Sequence, residues 1–130
     1  MKLAPLICVA DVEASSAWYC CLLGCASGHG GAHYERLNDG DRLVLQLHRW
    51  DVEHHHGPLG DPALPHGNGL LLWFELADLD AAVARAEAMA VKVDRPLAWS
   101  ENGNREYWIR DPDGYSVVLT DPLPRQRLRE

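Results

Sequence analysis

Long apolar runs are missing from this 130-residue chain: no window approaches the roughly 18 apolar residues that a membrane span requires. Basic charge is also short. Twelve Lys and Arg face nineteen Asp and Glu, for a net charge of −7. That excludes a sequence-independent nucleic-acid binder, which needs a basic surface to displace counterions. No basic-then-apolar leader precedes the strand-like sequence that begins at Leu3. The cysteines, Cys8, Cys20, Cys21 and Cys25, contain no CxxC spacing, and adjacent Cys20 and Cys21 do not both pair easily with near neighbours. Reduced thiols acting as small apolar side chains, in the cytoplasm, are the expectation. No Ser-His-Asp or Cys-His nucleophile pattern emerges, and Gly28, Gly30 and Gly31 lack the helix-opening context of a phosphate loop. Phenylalanine occurs once against five tryptophans, so the aromatic surface carries N–H donors.

What the chain does have is an internal match. Cys8-Val9-Ala10-Asp11-Val12-Glu13-Ala14 returns as Glu75-Leu76-Ala77-Asp78-Leu79-Asp80-Ala81. In each copy an apolar run meets an Asp and turns into an alanine-rich helical pattern. Each copy is followed by a Gly-containing turn and a valine/leucine run: Asn38-Asp39-Gly40-Asp41 before Leu43-Val44-Leu45, and Asp111-Pro112-Asp113-Gly114 before Val117-Val118-Leu119. Apolar content of 47% and a charged fraction of 24% describe an ordinary globular domain of this length. Two similar halves offer the cleft between them as a natural place for a site.

Residues 3–9 read as a strand ending at Asp11, whose carboxylate suits a helix N-cap. Residues 12–23 place Ala14, Ala17, Trp18, Cys21 and Leu22 at helical spacing, and Gly24 marks the exit. Residues 34–37 and 42–50 read as hairpin strands. The second half repeats the order: a strand over 70–76, a helix over 79–89 with Leu79, Val83, Ala86 and Ala90 on one face, a short strand near 91–93, and a hairpin of 106–110 with 115–120. The predicted organisation is a single domain of repeats 1–50 and 70–121, joined by a loop over 51–69. Residues 122–130 form a basic tail containing Arg125, Arg127 and Arg129. The fold class is α+β: two βαβββ repeats whose curved mixed sheets surround a concave groove, with helices on the outer face.

The residues that carry this pattern are Val9-Ala10-Asp11-Val12-Glu13-Ala14-Ser15 through Trp18-Tyr19 and Leu22-Leu23-Gly24. With them goes Arg105-Glu106-Tyr107-Trp108-Ile109-Arg110-Asp111-Pro112-Asp113-Gly114-Tyr115. Over nearly its whole length the chain resembles the vicinal oxygen chelate superfamily, which includes glyoxalase I, extradiol dioxygenases, fosfomycin-resistance enzymes and bleomycin-resistance proteins. The resemblance implies one divalent metal held by His and Glu side chains, the first ligand of each half lying seven residues before the capping Asp. Here the family's ligand positions are Ala4, Gln46, Leu71 and Val118. Three of these cannot coordinate a metal, and a divalent ion needs several converging N or O donors. No cofactor is therefore expected.

Strand alternation lists the side chains that would share the groove. Ser116 and Thr120 accompany Val118, while Val117 and Leu119 pack under the helices. Glu106, Trp108 and Arg110 come from the partner strand, Val44, His48 and Trp50 accompany Gln46, and Trp73 and Glu75 accompany Leu71. The candidate ligand-binding set is Gln46, His48, Trp73, Glu75, Glu106, Trp108 and Arg110, suited to a planar or amphipathic molecule stacked on indole and anchored by polar groups. The bland alternative makes Trp73 and Trp108 core filler, with Arg110 and Glu106 a local ion pair. The run His54, His55, His56, near His48 and His66, suits adventitious divalent metal, though consecutive histidines fix no coordination geometry. Two functions compete: metal-independent binding of a drug or metabolite, and a lyase, isomerase or dioxygenase using Glu75, Glu106 or His48 as general base with or without loop-histidine metal. The expected partners are a small-molecule ligand and a second copy of the chain, with Trp18, Trp50 and Trp99 as possible interface aromatics.

Overall fold

The computed structural model describes residues 1–50 and 58–122. His54, His55 and His56, and the arginines of the tail, lie outside the described residues. The chain divides into two compact units, Met1–Asn68 and Gly69–Glu130.

The first unit runs β1 (Leu6–Val9), α1 (Val12–Leu23), β2 (Ala26–Ser27), β3 (Tyr34–Asp39) and β4 (Arg42–Arg49). Its sheet order is β1-β4-β3-β2, with β1 parallel to β4 and the other pairs antiparallel. The helix makes the crossover that a parallel pair demands. Asp11 starts it: the residue is extended, and its carboxylate accepts the Ala14 N–H at 3.0 Å. Gly24 ends it in the left-handed conformation, donating its N–H to the Cys20 carbonyl. Gly40, at φ +61°, makes the two-residue connection between Asp39 and Arg42.

The second unit repeats the order with β5 (Leu71–Glu75), α2 (Leu79–Ala88), β6 (Lys92–Trp99), β7 (Arg105–Arg110) and β8 (Ser116–Thr120). Its sheet is β5-β8-β7-β6, again with one parallel pair, β5 with β8. Asp78 caps α2 as Asp11 caps α1, accepting the Ala81 N–H at 3.0 Å. Asp111 holds the β7–β8 hairpin, its Oδ1 accepting the amides of Asp113 and Tyr115 at 2.9 Å. Two open four-stranded mixed sheets, each in a βαβββ unit, are the expected α+β fold.

Three local expectations are corrected. The buried face of α1 is Val12, Ser15, Ser16, Tyr19 and Leu22, while Ala14, Ala17 and Cys21 are exposed. On α2, Ala82 joins Leu79, Val83 and Ala86, and Ala90 lies beyond the helix, exposed, at φ +53°. The short strand near 91–93 is an eight-residue edge strand containing Pro96. Proline lacks the N–H of an inner ladder and is tolerated at an edge. Strand β2 has no counterpart in the expectation.

Each core forms where helix meets sheet. Ile7, Val9, Leu37, Leu45 and Leu47 lie buried in the first sheet, and Leu72, Tyr107, Ile109, Val117 and Leu119 in the second. Among the described residues no helix is long and apolar enough to cross a membrane.

Candidate functional site

On β5, β8, β7 and β6 the residues Trp73, Val118, Trp108 and Arg95 stand in one registered row. Residues opposite one another in a ladder share a face, and this face carries neither Val117 nor Leu119, the core residues of β8. Trp73 and Trp108 are two strand spacings apart, roughly 9–10 Å at the backbone. Their ring centroids are only 6.4 Å apart and the planes cross at 83°. Both indoles thus lean over Val118, which has no exposed surface. Trp73 keeps 40% of its surface exposed. The guanidinium of Arg95 lies 4.1 Å from the centre of the Trp108 ring, a cation–π contact. The Trp108 indole N–H donates to Glu106 Oε1 at 2.9 Å.

Perpendicular rings are not two walls of a slot. One face of Trp108 is taken by Arg95 and its N–H by Glu106, so the surface offered to a planar molecule is that of Trp73, with Trp108 as its buttress. Glu75 is exposed at the end of β5, opposite Thr120. The Thr120 hydroxyl is wholly buried: it donates to the Arg105 carbonyl at 2.9 Å and accepts the Asn104 amide at 2.5 Å. Arg110 does not pair with Glu106. It reaches Asp94 at 2.5 Å and the Gly114 carbonyl at 2.8 Å.

In the first unit the corresponding face carries Leu6, Gln46 and Arg36 in one row and Cys8, His48 and Tyr34 in the next. Leu6, Tyr34, Gln46, His48 and residues 29–33 line a cavity of about 550 Å³. Gln46 is anchored there: its Oε1 accepts the Tyr34 hydroxyl at 2.5 Å and its Nε2 donates to the Ala4 carbonyl at 3.1 Å. His48 is buried, with Nδ1 3.0 Å from the Arg49 carbonyl. Tyr34 stands edge-on between the rings of His29 and His48, at 5.3 and 5.9 Å. His66 lies elsewhere, its ring against Trp50 and its Nε2 2.9 Å from the Pro62 carbonyl.

The loop that walls this cavity is tied to one carboxylate. Glu35, 3% exposed, accepts the Ser27 hydroxyl and the amides of His29, Gly30 and Arg36. Burial by itself would raise its pKa, yet these donors hold it down, from 4.5 to about 2.

The residues that the resemblance sets at metal-ligand positions do not fit a metal. Gln46 hydrogen-bonds Tyr34 and Ala4, Val118 is aliphatic and has no exposed surface, and Leu71 is aliphatic. Among the described residues no three His, Cys, Asp or Glu side chains converge as a metal group.

Tyr34 and Arg95 were not legible beforehand, and one cause explains both. A regular ladder counted from the β3–β4 turn sets Tyr34 opposite Leu47, on the helix side. The register shift at Leu37/Asn38 moves it opposite His48. Likewise the shift between Val93 and Arg95 sets Arg95 opposite Trp108 instead of Tyr107. A one-residue slip exchanges the faces of a strand. The only hint in the sequence is Pro96, which marks β6 as irregular.

The profile of the Glyoxalase/Bleomycin resistance protein/Dioxygenase superfamily matches residues 3–119. No curated protein matches the chain. Among solved structures, a lactoylglutathione lyase from Agrobacterium tumefaciens superposes with a TM-score of 0.69 at 21% identity, covering 93% of this chain and 92% of that one. A bleomycin resistance determinant encoded on the transposon Tn5 gives 0.67 at 18%, covering 93% and 97%. TioX from Micromonospora sp. ML1 gives 0.66 at 17%, covering 98% and 100%. At these identities the likeness is one of fold.

Proposed function

The chain belongs to the glyoxalase/bleomycin resistance protein/dioxygenase superfamily, and from that premise we propose that it binds a planar or amphipathic small molecule, a drug or metabolite, without a metal. The observation that carries this reading is Trp73, an indole 40% exposed on a sheet face and buttressed by Trp108. Aromatic side chains grouped with a few charged and polar groups are the usual lining of a small-molecule site. Arg95, Glu106, Glu75 and Arg110 form that rim, and a ligand with an anionic group finds Arg95 beside the indoles. Gln46, His48 and Tyr34 offer a second polar lining in the first unit. A relative named for resistance to bleomycin agrees with a role that needs affinity and no reactive group. Tryptophan fluorescence during titration with planar aromatic compounds tests it: quenching that persists in excess chelator supports metal-free binding, and quenching that vanishes with chelator refutes it.

A catalytic reading has its own support in His48, whose ring lines the cavity of about 550 Å³. As a general base it would serve a lyase or isomerase. Metal analysis of freshly purified protein separates the two. Near-stoichiometric metal, lost on replacing His48 or His54, His55 and His56, would favour the enzyme.

A further inference from the structure

Cys20, Cys21 and Cys25 play no part in the binding surface, but two of them meet. Cys20, in the last turn of α1, and Cys25, just past the Gly24 cap, bring their sulfurs to 3.8 Å. None of the four is in a disulfide. Both residues are half-buried and line a groove of about 510 Å³ whose other walls include Ser16, Ser27 and Glu35, open to a small reagent. Cys8 is buried on β1, and Cys21 points outward from the helix. The left-handed turn at Gly24 creates the pair, because it folds the chain back across the end of the helix.

We propose that Cys20 and Cys25 are a peroxide-reactive pair, a modification site that closes to an intramolecular disulfide. The Cys25 S–H lies 3.8 Å from both the Cys20 sulfur and the Tyr19 carbonyl, so Cys25 keeps its proton the better and the first attack falls to Cys20. Cys25 itself is held protonated, pushed up to about 12 by burial and by the Cys20 sulfur beside it. In the first step the Cys20 sulfur attacks a hydroperoxide oxygen. The S–O bond forms, the O–O bond breaks, and the alcohol (water, from hydrogen peroxide) leaves with the thiol proton. In the second the Cys25 sulfur attacks the Cys20 sulfenic acid, the S–S bond forms, the S–O bond breaks, and water leaves with the Cys25 proton. The peroxide takes two electrons and the two thiols supply them. Closure brings the sulfurs from 3.8 Å to a bond of about 2.05 Å.

The test is intact-mass analysis of the full chain after a small excess of hydrogen peroxide, with chelator present. Wild type and Cys21→Ser should lose two hydrogens with no lasting oxygen adduct. Cys25→Ser should instead accumulate a sulfenic acid at Cys20, trapped by dimedone, and Cys20→Ser should lose the reaction. Fragmentation of the oxidised wild-type protein should join Cys20 to Cys25, which keeps the proposal testable if a variant fails to fold. A disulfide mapped to Cys21 or Cys8, or a wild type that only gains oxygen or only dimerises, would overturn it.

Discussion

Trp73 matters more as a surface than Trp108, because Trp108 has one face under Arg95 and its N–H on Glu106. Aromatic contacts are worth about 0.5–1.5 kcal/mol beyond buried area, and 1.4 kcal/mol is about a factor of ten in affinity. Trp73→Ala should therefore weaken a planar ligand about tenfold, with an unchanged circular dichroism spectrum. Trp108→Ala should weaken it too, by removing the buttress. Titrations of the two variants side by side check this, and an unaltered Kd for Trp73→Ala would remove that surface from the site. Glu35 controls a different property. Its folded pKa lies below its unfolded one, so the stabilisation is complete above about 4.5 and is lost as pH falls toward about 2. The linkage amounts to something on the order of 3 kcal/mol. Urea unfolding of wild type and Glu35→Gln across this range should converge at the acid end and separate at neutral pH.

The helices were legible from sequence because their starts are chemical. An Asp before an alanine-rich run has one good use, and Asp11 and Asp78 both put it there. Replacing either by Ala should cost about 1 kcal/mol of unfolding free energy, measurable as a lower urea midpoint with an unchanged slope. The buried face of α1 was not legible. Alanines, serines and cysteines at every phase leave the helix with little preference of its own. The neighbours chose: Ser16 finds the Ser27 hydroxyl at 3.2 Å, and Tyr19 and Leu22 fill the space over the sheet. The edge strands resisted prediction for another reason. Strand β2 is two residues long, and β6 carries a proline and two register shifts, so neither keeps the period-two pattern by which strands are recognised.

At the scale of the whole molecule, small open sheets end in edges that association can cover. The first sheet ends in β1 and β2, the second in β5 and β6, and Trp99 is 73% exposed on β6. Light scattering at high micromolar concentration should give the mass of a homodimer; a monomer would refute the expectation. Trp50 is a poorer interface candidate than Trp99, since it packs against His66 with ring centroids 4.9 Å apart. Supplying Ala4→His and Gln46→Glu together adds only two ligands and should not create tight zinc binding by calorimetry.

By itself the sequence determined the duplication, the two helices, both of their Asp caps and the two Gly turns. These are local or compositional facts, and each rests on a residue type with few alternative uses. Which residues stand beside Trp108 and His48 was decided only by the tertiary structure. Arg95 and Tyr34 reach those positions through one-residue register shifts, and Cys25 reaches Cys20 through the fold of one turn. A shift of this kind costs little locally and depends on how a strand packs against its neighbours. Strand patterning identifies which residues alternate, but the ladder decides which face they take.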